Sequence, residues 1–395
     1  MSGYLDDYSE ALGVPKNCEP LELLDSAIDK TIIIPDKSIQ KPIMMACAII
    51  PSVNASILPL CINYGKSGTG KSTFGKLVHG LWGLDERFLL AGKTTPTAIR
   101  NMIMAQKYGS DWYDFQDDLP EESNAVLIWD DIDYNILKDP LIQSILKSGY
   151  SRKTANLSVA NVGGSNNYFN FFSLKFTSSI HPIWTIDELR ELKRRTLVFK
   201  YQPYETLTSE DRAENIGIDD LIDIDYIDFE GYTGFRKLYL DLAEMDEYKT
   251  LSRSLRQRLR YAQFPKWYGK LCFDVISIGT ILGAFTDLKD AINKFEQFYE
   301  VQERVLKEKT ELQIWFDRYI AEQIEIQSQL KQVAILGHPI EIPRSRLVKD
   351  LEKAIKAKEL PPEKLDLRAV MKEYGFDLVS ENRQMTFIKE IEAAE

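Results

Sequence analysis

One stretch of the chain restricts its fold more than any other. An apolar run, Leu58-Pro-Leu-Cys-Ile-Asn-Tyr64, reads as a buried strand, with Pro59 tolerated only near its start, where a missing donor costs least. It runs into Gly65-Lys-Ser-Gly-Thr-Gly-Lys-Ser72, and a helical run, Thr73–Leu81, follows. Strand, glycine-rich turn and helix in this order match the pattern G-x-x-x-x-G-K-[ST] in full. The glycines let successive backbone N–H groups turn inward around phosphates, and the helix N-terminus adds partial positive charge. Lys71 is placed to reach the outer phosphates, and the Ser72 hydroxyl to ligate Mg²⁺. Gly65, Lys66, Ser67, Gly68, Thr69, Gly70, Lys71, Ser72 and Thr73 are therefore the candidate nucleotide-binding residues.

From about residue 56 to 203, strand-like runs alternate with helical stretches. The strand candidates are Arg87–Ala91, Ala125–Trp129, Phe171–Thr177 and Arg195–Tyr201. Alternation of this kind predicts an α/β domain with a parallel sheet. The run Ala125-Val-Leu-Ile-Trp-Asp-Asp131 ends in two carboxylates. Asp130 at the strand tip suits Mg²⁺ held through water, and Asp131 suits orienting or deprotonating an attacking water. A solvated acidic turn is the plainer reading, since Asp133 follows at once. The upstream loop favours the chemical one.

The order of these motifs resembles the AAA+ and superfamily-3 helicase group of P-loop ATPases. More narrowly it resembles the helicase-type ATPase domains of phage and plasmid replication proteins, often found beside primases. The likeness spans roughly residues 33–201 and implies a P-loop core of AAA+ or RecA-like type, with ATP and Mg²⁺ as cofactors. Three later features carry the narrower match. Leu146-Lys-Ser-Gly-Tyr-Ser-Arg-Lys153 lies where relatives project a hairpin toward a central channel, so the resemblance makes Arg152 and Lys153 candidate nucleic-acid contacts; a solvated basic turn is the alternative. Phe171-Phe-Ser-Leu-Lys-Phe-Thr-Ser-Ser179 occupies the sensor position, between nucleotide and Asp pair. Superfamily-3 members usually place Asn at that tip, whereas this chain offers Thr177, Ser178 and Ser179. Thr185 and Glu188 form a capping box that predicts a helix, ending at Arg194 and Arg195 before the last strand. The resemblance makes one of these two, Arg195 slightly preferred, the arginine that reaches the γ-phosphate on the neighbouring subunit; Arg190 is a weaker candidate. Cations complementing a helix C-terminus are the alternative. Many AAA+ proteins carry Glu where this chain has Asp131, and the shorter side chain requires the water to sit closer.

The flanks are read as separate parts: a helical lead-in (1–55), with helices over Leu21–Lys30 and Lys37–Ile50; an acidic connector and helical domain (204–335), with one long helix from Leu288 to Leu330; and a small module (340–395). In that module two helices, Arg344–Ile355 and Leu365–Tyr374, precede a strand pair, the pattern of a winged helix, with Arg368, Lys372 and Arg383 as candidate DNA contacts. Leu251–Lys270 holds six cations and no acid, interleaved with Tyr261, Phe264, Trp267 and Tyr268. That mixture suits a nucleic-acid backbone. The favoured reading is a lid helix whose aromatics are core and whose arginines bridge to the acidic segment before it.

Net charge is −11, but residues 201–230 hold ten acids against Arg212, a local −9 that leaves the remainder near neutral. Acidity therefore does not exclude a nucleic-acid partner. Cys18, Cys47, Cys61 and Cys272 have no CxxC spacing, and His79, His181 and His338 no metal spacing, so neither a disulfide framework nor a zinc site is expected. No apolar run reaches membrane-spanning length, and the acidic N-terminus lacks a signal core; a cytoplasmic location is expected. The reading is an oligomeric ATPase motor, a hexameric ring or filament acting on single-stranded DNA as a replicative helicase of a mobile element, with a primase or other replication protein as partner. The alternative is an ATP-dependent assembly switch in transposition or defence that unwinds nothing. A small-molecule kinase is disfavoured, because the paired carboxylates, sensor strand and terminal arginines have no joint use in it.

Overall fold

The computed structural model describes residues 8–16, 18–90, 94–109, 125–132, 136–160, 166–180, 182–185, 187–229, 232, 235, 245–306, 311–331, 340–357, 367–381 and 384–389. The chain divides into two compact units, Met1–Lys307 and Glu308–Glu395.

The first unit is built on five parallel strands: β1 (Leu60–Tyr64), β2 (Leu89–Leu90), β3 (Ala125–Trp129), β6 (Ser173–Ser179) and β7 (Thr196–Lys200), in the order β2-β3-β6-β1-β7. Between β3 and β6 lies an antiparallel pair, β4 (Asn156–Ala160) with β5 (Asn166–Asn170). The central strands are apolar on both faces because both are covered. Cys61, Val126, Ile128, Leu174, Phe176, Leu197 and Phe199 enter one core. Leu60, Ile62, Ala125, Leu127, Trp129 and Val198 enter the other. Consecutive residues of a strand point to opposite faces, so each strand feeds both layers.

The helices of this unit are α1 (Tyr8–Leu12), α2 (Pro20–Thr31), α3 (Lys37–Ile49), α4 (Lys71–Leu81), α5 (Pro96–Tyr108), α6 (Pro140–Ser148), α7 (Ser209–Glu214), α8 (Asp246–Arg258), α9 (Lys266–Ile281) and α10 (Leu288–Leu306). Helices α2, α3, α4, α9 and α10 supply the first core, and α5 and α6 the second. The stretch 1–55 is thus no separate lead-in. Its helices α2 and α3 share a core with β1 and with α9, more than two hundred residues downstream.

Within the expected long helix Leu288–Leu330, the described residues form α10 and α11 (Glu311–Lys331), which fall in different units, and residues 307–310 lie outside the described residues. One expected helix differs. The segment Asp187–Arg194 is a 3-10 helix. Leu189 and Leu192, both buried, are three apart, and three residues per turn puts them on one face. The expected strand Arg87–Ala91 shrinks to β2 behind a 3-10 turn, Glu86–Phe88, and Ala91 lies outside the described residues.

The second unit comprises α11, β8 (Ile340–Pro343), α12 (Arg344–Lys356), α13 (Leu367–Glu373), β9 (Asp377–Glu381) and β10 (Gln384–Lys389). Its sheet is antiparallel, in the order β8-β10-β9. The expected helix-helix-strand-strand order is present, with β8 added. Trp315, Phe316, Leu347, Met371 and Phe387 form its own core. Arg368 and Lys372 on α13 are exposed, and Arg383 lies outside the described residues.

Candidate nucleotide site

The loop 65–70 leaves β1 and delivers Lys71 as the first residue of α4. Gly68 and Gly70 have φ of 79° and 80°, the left-handed region that glycine enters freely. Gly65 is required for a different reason: a Cβ there would lie 2.6 Å from the Tyr201 carbonyl oxygen. Its N–H donates to Ser179 O (3.3 Å), and Thr69 Oγ1 donates to Lys66 O (2.8 Å), which closes the turn. Behind the loop, a Cβ on Gly75 would meet Ile128 Cγ2 at 3.0 Å, so α4 rides close on β3. Lys71 is only 7% exposed, and its ammonium makes no hydrogen bond or ion pair among the described residues.

Parallel register sets what Lys71 faces. Asn63 of β1 lies opposite Ser178 of β6, and Thr177 lies opposite Trp129 of β3. The carboxyl ends of the three strands therefore meet at one edge, where open parallel sheets bind ligands. Asp130 follows β3 and donates its N–H to Leu90 O (2.8 Å). Its Oδ1 accepts from Ser72 Oγ (2.5 Å) and from Ser178 Oγ. Ser178 Oγ in turn accepts from the Asp131 N–H (2.8 Å), and Ile132 N donates to Ser178 O (3.1 Å). The exit of β3 is thereby fastened to the tip of β6. Asp131, at φ 52°, takes a left-handed conformation that Asp tolerates better than most residues, and its side chain is exposed. Lys71, Ser72, Asp130, Thr177 and Ser178 line a cleft of about 170 Å³ that opens to solvent, and Asp131 is not part of its lining.

The sensor candidates separate here. Ser178 touches both acids' positions. Thr177 directs its hydroxyl at Cys61 O (3.5 Å), into β1 rather than toward the acids. Ser179 is buried, and its carbonyl accepts from Gly65. Asn63 and Trp129 also line the cleft. Asn63 is buried and accepts from Tyr201 OH (3.4 Å), while the buried Trp129 indole N–H has no partner among the described residues. Neither is among the candidate site residues, although Trp129 lies in the run Ala125–Asp131. A lone amide inside an apolar strand, two residues before the loop, was the signal available for Asn63.

Arg194 and Arg195 lie at the opposite edge. Thr196 begins β7 opposite Leu60, the first residue of β1, so roughly 13 Å of strand separates these arginines from the loop of their own chain. Arg195 donates from Nη1 to Lys147 O, pairs with Glu191 (3.2 Å) and lies over the Tyr150 ring. Arg194 is exposed and makes no such contact among the described residues. Between the two, the free guanidinium belongs to Arg194, not to the preferred Arg195. The Arg190 side chain lies outside the described residues.

Arg152 is likewise engaged: its Nε donates to Ala55 O (3.2 Å) and its guanidinium lies 4.4 Å from the Phe172 ring centroid. Lys153 is exposed. The β4–β5 pair follows directly, but residues 156–170 include no charged side chain.

Fold and edge geometry define the class: an α/β protein with a five-stranded parallel sheet and a lysine–serine–aspartate cluster at its carboxyl edge. No known protein family matches the chain, and no curated protein matches it. Among the described residues no cluster of three or more His, Cys, Asp or Glu can hold a metal, and no helix is long and apolar enough to cross a membrane.

Proposed function

We propose that this chain is a Mg²⁺-dependent P-loop ATPase of AAA+ or superfamily-3 type, assembling with copies of itself and acting on single-stranded DNA. The observation that carries it is Lys71, a buried lysine that makes no ion pair among the described residues, lining one cleft with Ser72, Asp130 and Ser178 at the carboxyl edge. The residues fit the cofactor. A buried lysine needs a compensating charge, and the turn at Gly65 has no room for a side chain. Ser72 and Asp130 supply hard oxygen donors. Mg²⁺ takes one or two carboxylates plus phosphates and water rather than an all-protein cage, and the Asp130 carboxylate with the Ser72 hydroxyl matches that demand.

When bound, Mg–ATP supplies the electrophilic γ-phosphate. Lys71 and the loop amides hold negative charge in place, Ser72 and Asp130 hold the metal, and Asp131, exposed beside them, orients water. Ser178 positions both acids. Arg194 lies about 13 Å of strand from the loop of its own chain, so Arg194 serves a neighbouring subunit. The α13 helix and β9–β10 strands support a winged-helix reading of the second unit.

ATP turnover tests this. Lys71→Ala abolishes it, and Asp131→Asn holds ATP unhydrolysed while sparing assembly. Arg194→Ala binds ATP but does not turn it over, and mixing it with Asp131→Asn subunits restores part of the activity; no recovery refutes the neighbouring-subunit role. One observation favours the second reading, an assembly switch without unwinding: the β4–β5 hairpin is uncharged and Arg152 is occupied. Fork separation decides between them.

A further inference from the structure

The segment joining α8 to α9 departs from the lid-helix expectation in one respect. Its aromatics do go inward: Tyr268 and Phe264 are buried and pack edge-on or tilted against each other and against Tyr299. Its cations do not bridge to the acidic segment. Arg253, Arg256, Arg258, Arg260, Lys266 and Lys270 are all exposed, and none forms an ion pair among the described residues. Part of the acidic segment is committed elsewhere: Asp211 and Glu214 accept from the Asp36 and Ser38 N–H groups, and Asp225 pairs with Lys76. Asp287, within reach of Arg258's field, spends its carboxylate on the N–H groups of Lys289 and Asp290.

Tyr261 stands at the tip of the same turn. It is 87% exposed, while the other aromatics of the segment are buried or half-buried. Around it, Arg253, Arg256 and Arg258 lie on the last turns of α8, with Arg256 over the Phe273 ring (5.6 Å), Arg260 follows in the turn, and Lys266 opens α9. An exposed ring within a set of unpaired cations matches a polyanion that carries flat bases.

We propose that the α8–α9 turn is a binding surface for single-stranded nucleic acid, with Tyr261 stacking on a base and Arg253, Arg256, Arg258, Arg260, Lys266 and Lys270 contacting phosphates. This deepens the DNA-acting part of the proposed function and supplies a grip that the uncharged hairpin lacks. An acidic peptide satisfies the cations but not the exposed ring. A membrane surface calls for more than one apolar anchor on this face, and Tyr261 stands alone there.

The test uses the full chain and a fluorescein-labelled oligothymidylate, followed by anisotropy as salt is raised. Tyr261→Ala weakens binding about tenfold, and Tyr261→Phe restores it. The pair Arg258→Ala/Arg260→Ala lowers the slope of log affinity against log salt by about 1.4, and Lys153→Ala changes neither. All these side chains are exposed, and unchanged melting temperatures verify the folds. Loss on Lys153→Ala with both turn variants unaffected overturns the placement and leaves the DNA reading standing. Wild-type chain that hydrolyses ATP but binds no oligothymidylate overturns both. Turn variants that dissociate the oligomer, or lose binding to anionic vesicles while keeping the oligonucleotide, show the face to be a subunit or membrane contact and overturn the proposal.

Discussion

Ser178 holds the two acids in different ways, one through a carboxylate oxygen and the other through its backbone N–H. Replacing it with Ala leaves the Asp131 N–H without its acceptor and Asp130 with one donor fewer. Groups that orient metal-side ligands are worth about 10–100-fold in activity, so Ser178→Ala lowers ATP kcat by that order while KM moves little; Thr177→Ala, which loses only a long bond to Cys61 O, leaves kcat near wild type. Equal losses would remove Ser178 from the positioning role. Sequence placed the hydroxyls at this strand tip but not their division of labour, because that depends on strand register, which a single strand does not encode. A second residue escaped notice altogether. Lys175 is fully buried in β6, and its ammonium donates to Gly149 O (2.8 Å) and Ser173 O (2.9 Å). Burial, reinforced by Lys107, pulls its pKa down to about 7. The unfolded chain therefore holds this proton more tightly than the folded one between about pH 7 and the ordinary lysine value. Stability gains from Lys175 as pH rises through that window. Urea melts of wild type and Lys175→Met, compared from pH 7 to 8.5, diverge in that direction; parallel curves would contradict it.

Helix α3 carries Pro42 in its interior, and the ring removes the N–H that Ser38 O would otherwise accept. Lys294 of α10 fills the gap, its Nζ donating to Ser38 O (2.9 Å). At the other end of the same turn, α7 presents Asp211 and Glu214 to the Asp36 and Ser38 N–H groups (2.7 and 2.9 Å). Negative charge at a helix N-terminus is favourable, which gives part of the acidic segment a structural task. Periodicity located α3 within a residue, yet both of its repairs come from far along the chain, beyond the reach of any local pattern. Asp211→Ala is expected to lower unfolding free energy by about 1 kcal/mol, read as a lower urea midpoint at unchanged slope. Asp219→Ala, in the same acidic segment but exposed, serves as the control and changes the midpoint little. Elsewhere local patterns were closer to sufficient: β1 and β3 appear where continuous apolar runs put them, because a doubly covered strand needs no partner information to be recognised. The Asp187–Arg194 segment went wrong for want of that information, since 3-10 and α spacing diverge too little over eight residues to separate.

At the scale of the whole chain, the division at Lys307 and Glu308 follows the cores. Val305 and Leu306 at the end of α10 pack into the sheet's second core, whereas Trp315, Phe316, Tyr319 and Ile320 of α11 pack with Ile342, Leu347, Met371 and Phe387. Composition showed no boundary here, because both helices are amphipathic and a pattern continuous in sequence reads as one long helix. The change of partner is visible only in three dimensions. A unit whose core is closed on itself, with a sheet and three helices, lies in the size range where domains fold alone. The fragment 308–395 is therefore expected to give a dispersed amide spectrum and a single cooperative melt, and residues 1–307 to retain the affinity of the full chain for a non-hydrolysable ATP analogue. The second half of that expectation follows from the site, since Lys71, Ser72, Asp130 and Ser178 belong to strands and a helix of the first unit. A collapsed spectrum for the fragment would mean that α11 needs the first unit for its fold, and lost affinity in 1–307 would mean that the second unit helps hold the nucleotide.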